Sequence, residues 1–208
     1  MGLQSLKLVV LILMVISVAI NYIDRGTLSI AAPLLSAEMK LSPAQLGMLF
    51  SAFFWSYALL QIFSGWLADR YNVIWVMAIG FFIWSAATAA TGMVHTISIL
   101  FFLRLLLGVG ESVAYPCYSK IIVSNYPEHQ RGLANALIDA GTKVGQALGT
   151  LIGGILMARF GWRPIFIFLG LGSLLWIPAW FKWTPRGSIA GKTVIGNGPG
   201  FREILAQR

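Results

Sequence analysis

The chain has 208 residues with a formal net charge of +8, and 58% of them are hydrophobic against 11% charged. Soluble domains carry about 25% charged residues, so this chain cannot clothe a water-facing surface and reads as an all-α membrane protein in a lipid bilayer. The positive charge does not point to a nucleic-acid partner, because the basic residues are scattered at span ends and form no stripe.

A membrane span needs roughly 20 apolar residues, and six transmembrane helices are predicted. The first runs from Leu8 to Leu35. It does not read as a cleavable signal, since the apolar run continues past Asn21 to Pro33 with no small-residue cleavage site. It holds Asp24 and Arg25 where an inert span would use leucine. Charges near the bilayer centre cost at least about 2.5–3.5 kcal/mol on insertion scales, so they mark a polar pathway by default. Tyr22 and Asn21 share the side of Arg25 at helical spacing, whereas Asp24 is rotated by about 100°. Arg25 suits a carboxylate ligand, which a guanidinium grips bidentately without ever deprotonating.

Leu41-Ser42-Pro43 introduces the second span, Ala44 to Leu67, in which Tyr57 and Gln61 are polar at i, i+4. Tyr57 is expected either to face a cavity or to make an interhelical hydrogen bond. Asp69-Arg70-Tyr71-Asn72 leads into the third span, Val73 to Met93. The fourth, Ile97 to Ile122, places Arg104, Gly108, Glu111, Tyr115 and Tyr118 on one narrow face. Seven residues separate Arg104 from Glu111 by roughly 10 Å along the axis, so each needs a partner from another helix or from a ligand. Cys117 reads as a small packing residue.

Tyr126-Pro127-Glu128 precedes the fifth span, Leu133 to Ala158, which is two-faced. Asn135, Asp139, Lys143 and Gln146 line one side, and Gly141, Gly145, Gly149 and Gly153 lie mostly on another. The glycines read as a close-packing seam. Asp139 and Lys143 read either as an i, i+4 ion pair or with Lys143 as an extra anion contact. The sixth span runs from Ile165 to Trp183, with Trp162, Trp180 and Trp183 at span ends, where amphipathic rings favour the headgroup layer.

Residues 1–183 are thus expected to form one six-helix domain. Residues 184–208, rich in glycine, read as the start of a cytoplasmic linker, with Phe201 to Gln207 as a short amphipathic helix. With the N-terminus inside, Lys7, Arg70, Lys120, Arg131, Lys182, Arg186, Lys192, Arg202 and Arg208 fall on the inner side. Only Lys40, Arg159 and Arg163 fall outside. That asymmetry predicts both termini in the cytoplasm. No nucleophile–base pair and no metal-ligand cluster is evident, so no catalytic or metal site and no enzyme is expected.

Gly65-Trp66-Leu67-Ala68-Asp69-Arg70 resembles the signature loop of the major facilitator superfamily, and Tyr126 to Gly132 resembles its counterpart between spans four and five. Phe160-Gly161-Trp162-Arg163 is similar to the loop before span six. Asn21-Tyr22-Ile23-Asp24-Arg25, together with Arg104-Leu105-Leu106-Leu107-Gly108-Val109-Gly110-Glu111, resembles the anion:cation symporter family, which carries sugar acids and other organic anions with protons. The resemblance implies a substrate site with Arg25 and Arg104 on the carboxylate and Tyr22 and Tyr57 lining it. It implies Asp24 and Glu111 as proton carriers, Asp69 and Arg70 in the cytoplasmic gate, and location in the plasma (inner) membrane. The signature loop departs from the family pattern at Asn72, Val73 and Ile74, where glycine and basic residues are usual.

The resemblance covers about residues 7–183, the N-terminal half of a fold that needs twelve helices in two halves, each half holding three-plus-three inverted repeats. The chain is therefore expected to be a fragment or truncated product whose partner is the C-terminal six-helix half. Span five lacks the proline common in antiporters of the superfamily, which favours symport. The expected function is secondary active, proton-coupled symport of a small organic anion such as a hexonate, hexuronate or glucarate, with no cofactor beyond the proton. A uniport or channel-type facilitator and a non-transporting or inactive fragment remain as alternatives.

Overall fold

The computed structural model describes residues 3–184, and the regular structure among them is helical. Eight helices follow one another: α1 (Leu3–Met39), α2 (Pro43–Arg70), α3 (Val73–Thr91), α4 (Ile97–Glu111), α5 (Ala114–Asn125), α6 (Glu128–Phe160), α7 (Trp162–Ser173) and α8 (Trp176–Trp183). The predicted linker beyond Thr184, with its short amphipathic helix, lies outside the described residues.

The eight helices fall into the predicted spans once two breaks are understood. Span four divides at Ser112–Val113 into α4 and α5, and span six divides at Leu174–Leu175 into α7 and α8. Each break lies just before a proline, Pro116 in the first case and Pro178 in the second. Proline lacks the N–H that would bond the carbonyl four residues back, and its ring crowds that carbonyl. The freed carbonyls belong to Ser112 and Leu174. Backbone angles at both breaks stay in the right-handed helical region, so the axes bend rather than turn back.

Five of these segments are long and apolar enough to cross a membrane: Gln4–Met39, Pro43–Arg70, Val73–Thr91, Ile97–Asn125 and Trp162–Trp183. Helix α6 is long enough at 33 residues. Its polar side, Asn135, Asp139, Lys143 and Gln146, is exposed and dilutes its apolar character.

Helix entry is set by local chemistry. Ser42 and Gln45 form a reciprocal capping box at the start of α2, with Pro43 in the first turn, where its missing N–H leaves no gap. Asn72 caps α3 by accepting from the Ile74 N–H.

Three contacts position the rest. First, α1 and α6 lie against each other along the glycine seam: a Cβ at Gly145 would stand 2.8 Å from Ala19 Cα, and one at Gly149 would stand 2.8 Å from Ile23 Cα. The seam predicted from the glycine spacing is therefore a helix–helix interface. Second, α4 is wedged between neighbours, since a Cβ on Gly108 would strike Ser56 and the Phe53 carbonyl of α2, and one on Gly110 would strike the backbone of α3. Third, α3 is braced from behind by the last two helices. Ser173 Oγ donates to Ser85 Oγ at 2.8 Å, and Trp180 Nε1 donates to the Ile74 carbonyl at 3.0 Å. Trp84, Trp180, Phe81 and Tyr118 fill the core, while Leu59, Ile62, Phe168 and Leu175 are more than 70% exposed on the outer faces, as lipid contact requires.

One end of the bundle is tied by Glu38. Its carboxylate accepts from Trp162 Nε1 at 2.7 Å and from Arg163 Nε at 2.9 Å, while Arg163 Nη1 also donates to the carbonyls of Gly92 and Val94. The tie joins the end of α1, the α3–α4 connection and the start of α7.

Candidate functional site

The site is built from α1 outward. The glycines of α6 let α1 approach closely, which fixes the rotation of the turn Asn21–Arg25. Arg25 then points towards α2 and α4, and Asp24 towards α3, as their rotation by about 100° requires.

Arg25 Nη2 stands 2.7 Å and Nε 2.8 Å from the same oxygen, Glu111 Oε2. Glu111 is fully buried, whereas the Arg25 side chain keeps 21% exposure. The guanidinium carbon also lies 4.9 Å from the centre of the Tyr22 ring, 4.7 Å from Phe53 and 5.0 Å from Tyr57. Three aromatic rings thus surround the cation. A cavity of about 270 Å³ opens there, lined by Tyr22, Arg25, Ser29, Phe50, Phe53, Phe54, Arg104, Leu107 and Gln146 among others.

Arg104 and Asp24 are both nearly fully buried, at 3% and 2% exposure, yet they form no ion pair. Each instead takes a hydroxyl from α3. Thr88 Oγ1 donates to Asp24 Oδ2 at 3.2 Å, and Arg104 Nη2 donates to Thr91 Oγ1 at 3.2 Å. Asn21 Oδ1, Asp24 Oδ1, Arg104 Nε and Glu111 Oε1 have no hydrogen-bond partner. Buried polar atoms are rarely left so, and four of the six such atoms among the described residues belong to this one constellation.

The stripe predicted on span four survives the break at Ser112. Arg104, Gly108, Glu111 and Tyr118 are buried, and Tyr115 is half-buried. Tyr118 hydroxyl and Ser17 Oγ share a 2.7 Å hydrogen bond. The structure therefore brings together Tyr22, Asp24, Arg25, Tyr57, Arg104 and Glu111. It does not bring Lys143 to them. Lys143 is exposed on α6 and does not line the cavity, although Gln146 one turn away does. Asp139 and Lys143 do not pair with each other.

Asp69 and Arg70 lie apart from the centre, exposed at the end of α2. Lys120 of α5 donates to the carbonyls of Ala68 and Asp69 and stands 3.6 Å from the Asp69 carboxylate, while Arg70 lies over the Trp66 ring at 5.8 Å. Four contributors were not singled out in the sequence: Phe53, Thr88, Thr91 and Lys120. Phe53 had a signal, since it precedes Tyr57 by four residues and shares its face. The threonines had none, because α3 carries no charged residue and both lie in the small-residue run that ends it.

The family model of the Major Facilitator Superfamily matches residues 14–206. The chain belongs to this superfamily. Over 157 residues it is 40% identical to the probable sulfoacetate transporter SauU of Cupriavidus necator, covering 76% of this chain and 36% of that protein. Over 187 residues it is 33% identical to the probable galactarate/D-glucarate transporter GarP of Escherichia coli, covering 87% of this chain and 42% of that one. Among solved structures it is similar to a bacterial homologue of the human lysosomal transporter Spinster, in an inward-facing and unoccupied conformation. The TM-score there is 0.80 with 26% identity, covering 89% of this chain and 45% of that one. The chain thus spans about two-fifths of the length of the curated relatives it matches. It is an integral membrane protein of a superfamily of transporters, not of enzymes, and the two curated relatives above carry the names of small-anion transporters.

Proposed function

We propose that the chain is the N-terminal, six-helix half of a proton-coupled symporter for a small organic anion of the sugar-acid type. It works in the plasma membrane with both termini in the cytoplasm and joins a second six-helix half across the cavity. In this reading α6 serves as the fifth span, and spans one and four, each bringing an acid and an arginine to mid-membrane, are the corresponding members of the two inverted three-helix repeats.

The observation that carries the reading is Arg25, a partly exposed guanidinium boxed by Tyr22, Phe53 and Tyr57 beside a cavity that Arg104 also lines. Two guanidiniums on one small cavity select for anions. The cavity, at about 270 Å³, falls just below the range of drug-sized ligand sites, about 300 to 1,000 Å³, which suits a small cargo. The cargoes named for the two relatives, sulfoacetate and the galactarate/glucarate pair, are small acids with two anionic groups each.

Protonation supplies the coupling. Glu111 occupies Arg25 until a proton neutralises its carboxylate, and the freed guanidinium then takes the cargo anion. Asp24 is the second proton carrier. Tyr22 and Tyr57 hold the cargo's flank, and Asp69 and Arg70 belong to the cytoplasmic gate. Alternating access then moves both across as the halves rock.

The test is uptake of labelled glucarate and sulfoacetate by the full carrier in proteoliposomes under an inward proton gradient. Uptake should collapse with a protonophore, and Arg25→Ala and Arg104→Ala should each abolish it or raise KM strongly. Uptake that persists without a gradient would make the protein a facilitator, and unchanged KM and rate in Arg104→Ala would remove that arginine from the site.

A further inference from the structure

Asp24 and Arg104 are opposite charges, both buried, and each is hydrogen-bonded to α3 rather than to the other. Their partners, Thr88 and Thr91, lie one helical turn apart on α3. We propose that these two threonines are positioning residues of the coupling centre: Thr88 holds Asp24 and Thr91 holds Arg104, so that the carboxylate is free to take and release the proton. This deepens the symport reading and rests on it.

The hydrogen-bond directions fit. The Thr91 hydroxyl gives its hydrogen to the Ala87 carbonyl at 2.8 Å, so it faces Arg104 only as an acceptor. The Thr88 hydroxyl gives its hydrogen to Asp24 Oδ2 and so holds that oxygen in place. One oxygen of Asp24, Oδ1, and one nitrogen of Arg104, Nε, stay unpartnered. The carboxylate therefore keeps a free oxygen to receive the proton. Other charges bearing on Asp24 are Arg104 and Glu111, both from α4. No charged residue lies within α3 itself.

The frame is rigid enough for this role. Ser85 and Ile74 of α3 are hydrogen-bonded from α7 and α8, and a Cβ on Gly170 of α7 would strike the Ala89 backbone. The two hydroxyls are thus fixed points against which the side chains of α1 and α4 are held. The step itself is simple. A proton from outside water joins an Asp24 carboxylate oxygen and returns to inside water, and no bond of the cargo changes.

The experiment compares two readouts on the full carrier in proteoliposomes with labelled glucarate. Net uptake requires proton release and return of the empty carrier, whereas exchange of internal for external glucarate requires neither. Thr88→Val should lower net uptake about tenfold, the effect of one hydrogen bond to a charged group, and leave exchange unchanged. Thr91→Val should lower net uptake more than exchange, as Arg104 leaves the cavity and closes on Asp24. Thr88→Ser and Thr91→Ser should restore net uptake. Valine variants that keep full net uptake, or lose both readouts without rescue by serine, would overturn the assignment. Wild-type carrier that takes up glucarate without regard to the proton gradient would overturn the symport reading as well, so the two failures are distinguishable.

Discussion

The glycine seam between α1 and α6 can be tested with two substitutions on one helix. At Gly145 a Cβ would stand 2.8 Å from Ala19 Cα and 2.9 Å from Ala19 C, and these are backbone atoms that cannot rotate away. At Gly154, about two and a half turns further on, nothing lies within 4 Å of the same position. Alanine gains up to about 1 kcal/mol over glycine from helix propensity at either place. At Gly145 it must also push the two helices apart by about 1 Å to restore ordinary contact, and overpacking of that kind costs about 1–3 kcal/mol. Gly145→Ala should therefore be destabilising on balance and Gly145→Leu far more so, while Gly154→Ala should be neutral or stabilising. Thermal unfolding of the detergent-purified carrier, followed by tryptophan fluorescence, reads the difference. Anion binding should weaken with Gly145→Ala as well, because the displaced stretch of α1 carries Arg25 six residues beyond Ala19. A Gly145→Ala variant as stable as Gly154→Ala would refute the claim that this seam sets the position of α1.

Lys120→Met should release the last carbonyls of α2 and lower stability by about 1–2 kcal/mol, with Lys120→Arg retaining most of it; hydrogen exchange of residues 64–70 checks the local effect. Glu38→Gln should cost about 1 kcal/mol or less, because the pair with Arg163 is partly exposed. Arg163→Ala should cost more than Glu38→Gln, since Arg163 also holds the Gly92 and Val94 carbonyls; comparing the two melting temperatures decides it.

Much of this molecule could be read in its sequence because membrane burial leaves so few ways to place a charge. Seven residues between Arg104 and Glu111 implied that they would not pair, and the structure gives them Thr91 on α3 and Arg25 on α1 respectively. The glycine period of α6 implied close packing, and the seam against Val15, Val18, Ala19 and Ile23 is there. Partner identity was not legible. Periodicity says which side of a helix a residue occupies and not which helix faces it, so nothing marked Thr88 and Thr91 as partners of Asp24 and Arg104. The bends at Ser112 and Leu174 were written in Pro116 and Pro178, although the apolar runs passed over both. Lys143 illustrates the opposite case: it shares the polar side with Gln146, but the cavity reaches only the glutamine.

Charge balance links the constellation to the proposed coupling. Asp24, Arg25, Arg104 and Glu111 sum to zero when all are ionised, and three of them are essentially closed to water. An anion entering such a centre adds net charge in a medium of low dielectric, where unit charges 4 Å apart interact by about 4 kcal/mol even at an effective dielectric constant of 20. The centre can return to neutrality by accepting one proton per negative charge of the cargo. Two carboxylates are present to accept them, one on each of α1 and α4, and each retains an oxygen with no partner. Under the proposed coupling, a monoanion would need one proton and a dianion such as glucarate two, which a pair of acids can supply and a single acid cannot. In that reading the second carboxylate would be more than an ion-pair partner for Arg25: it would set how much negative charge the site can neutralise in one cycle.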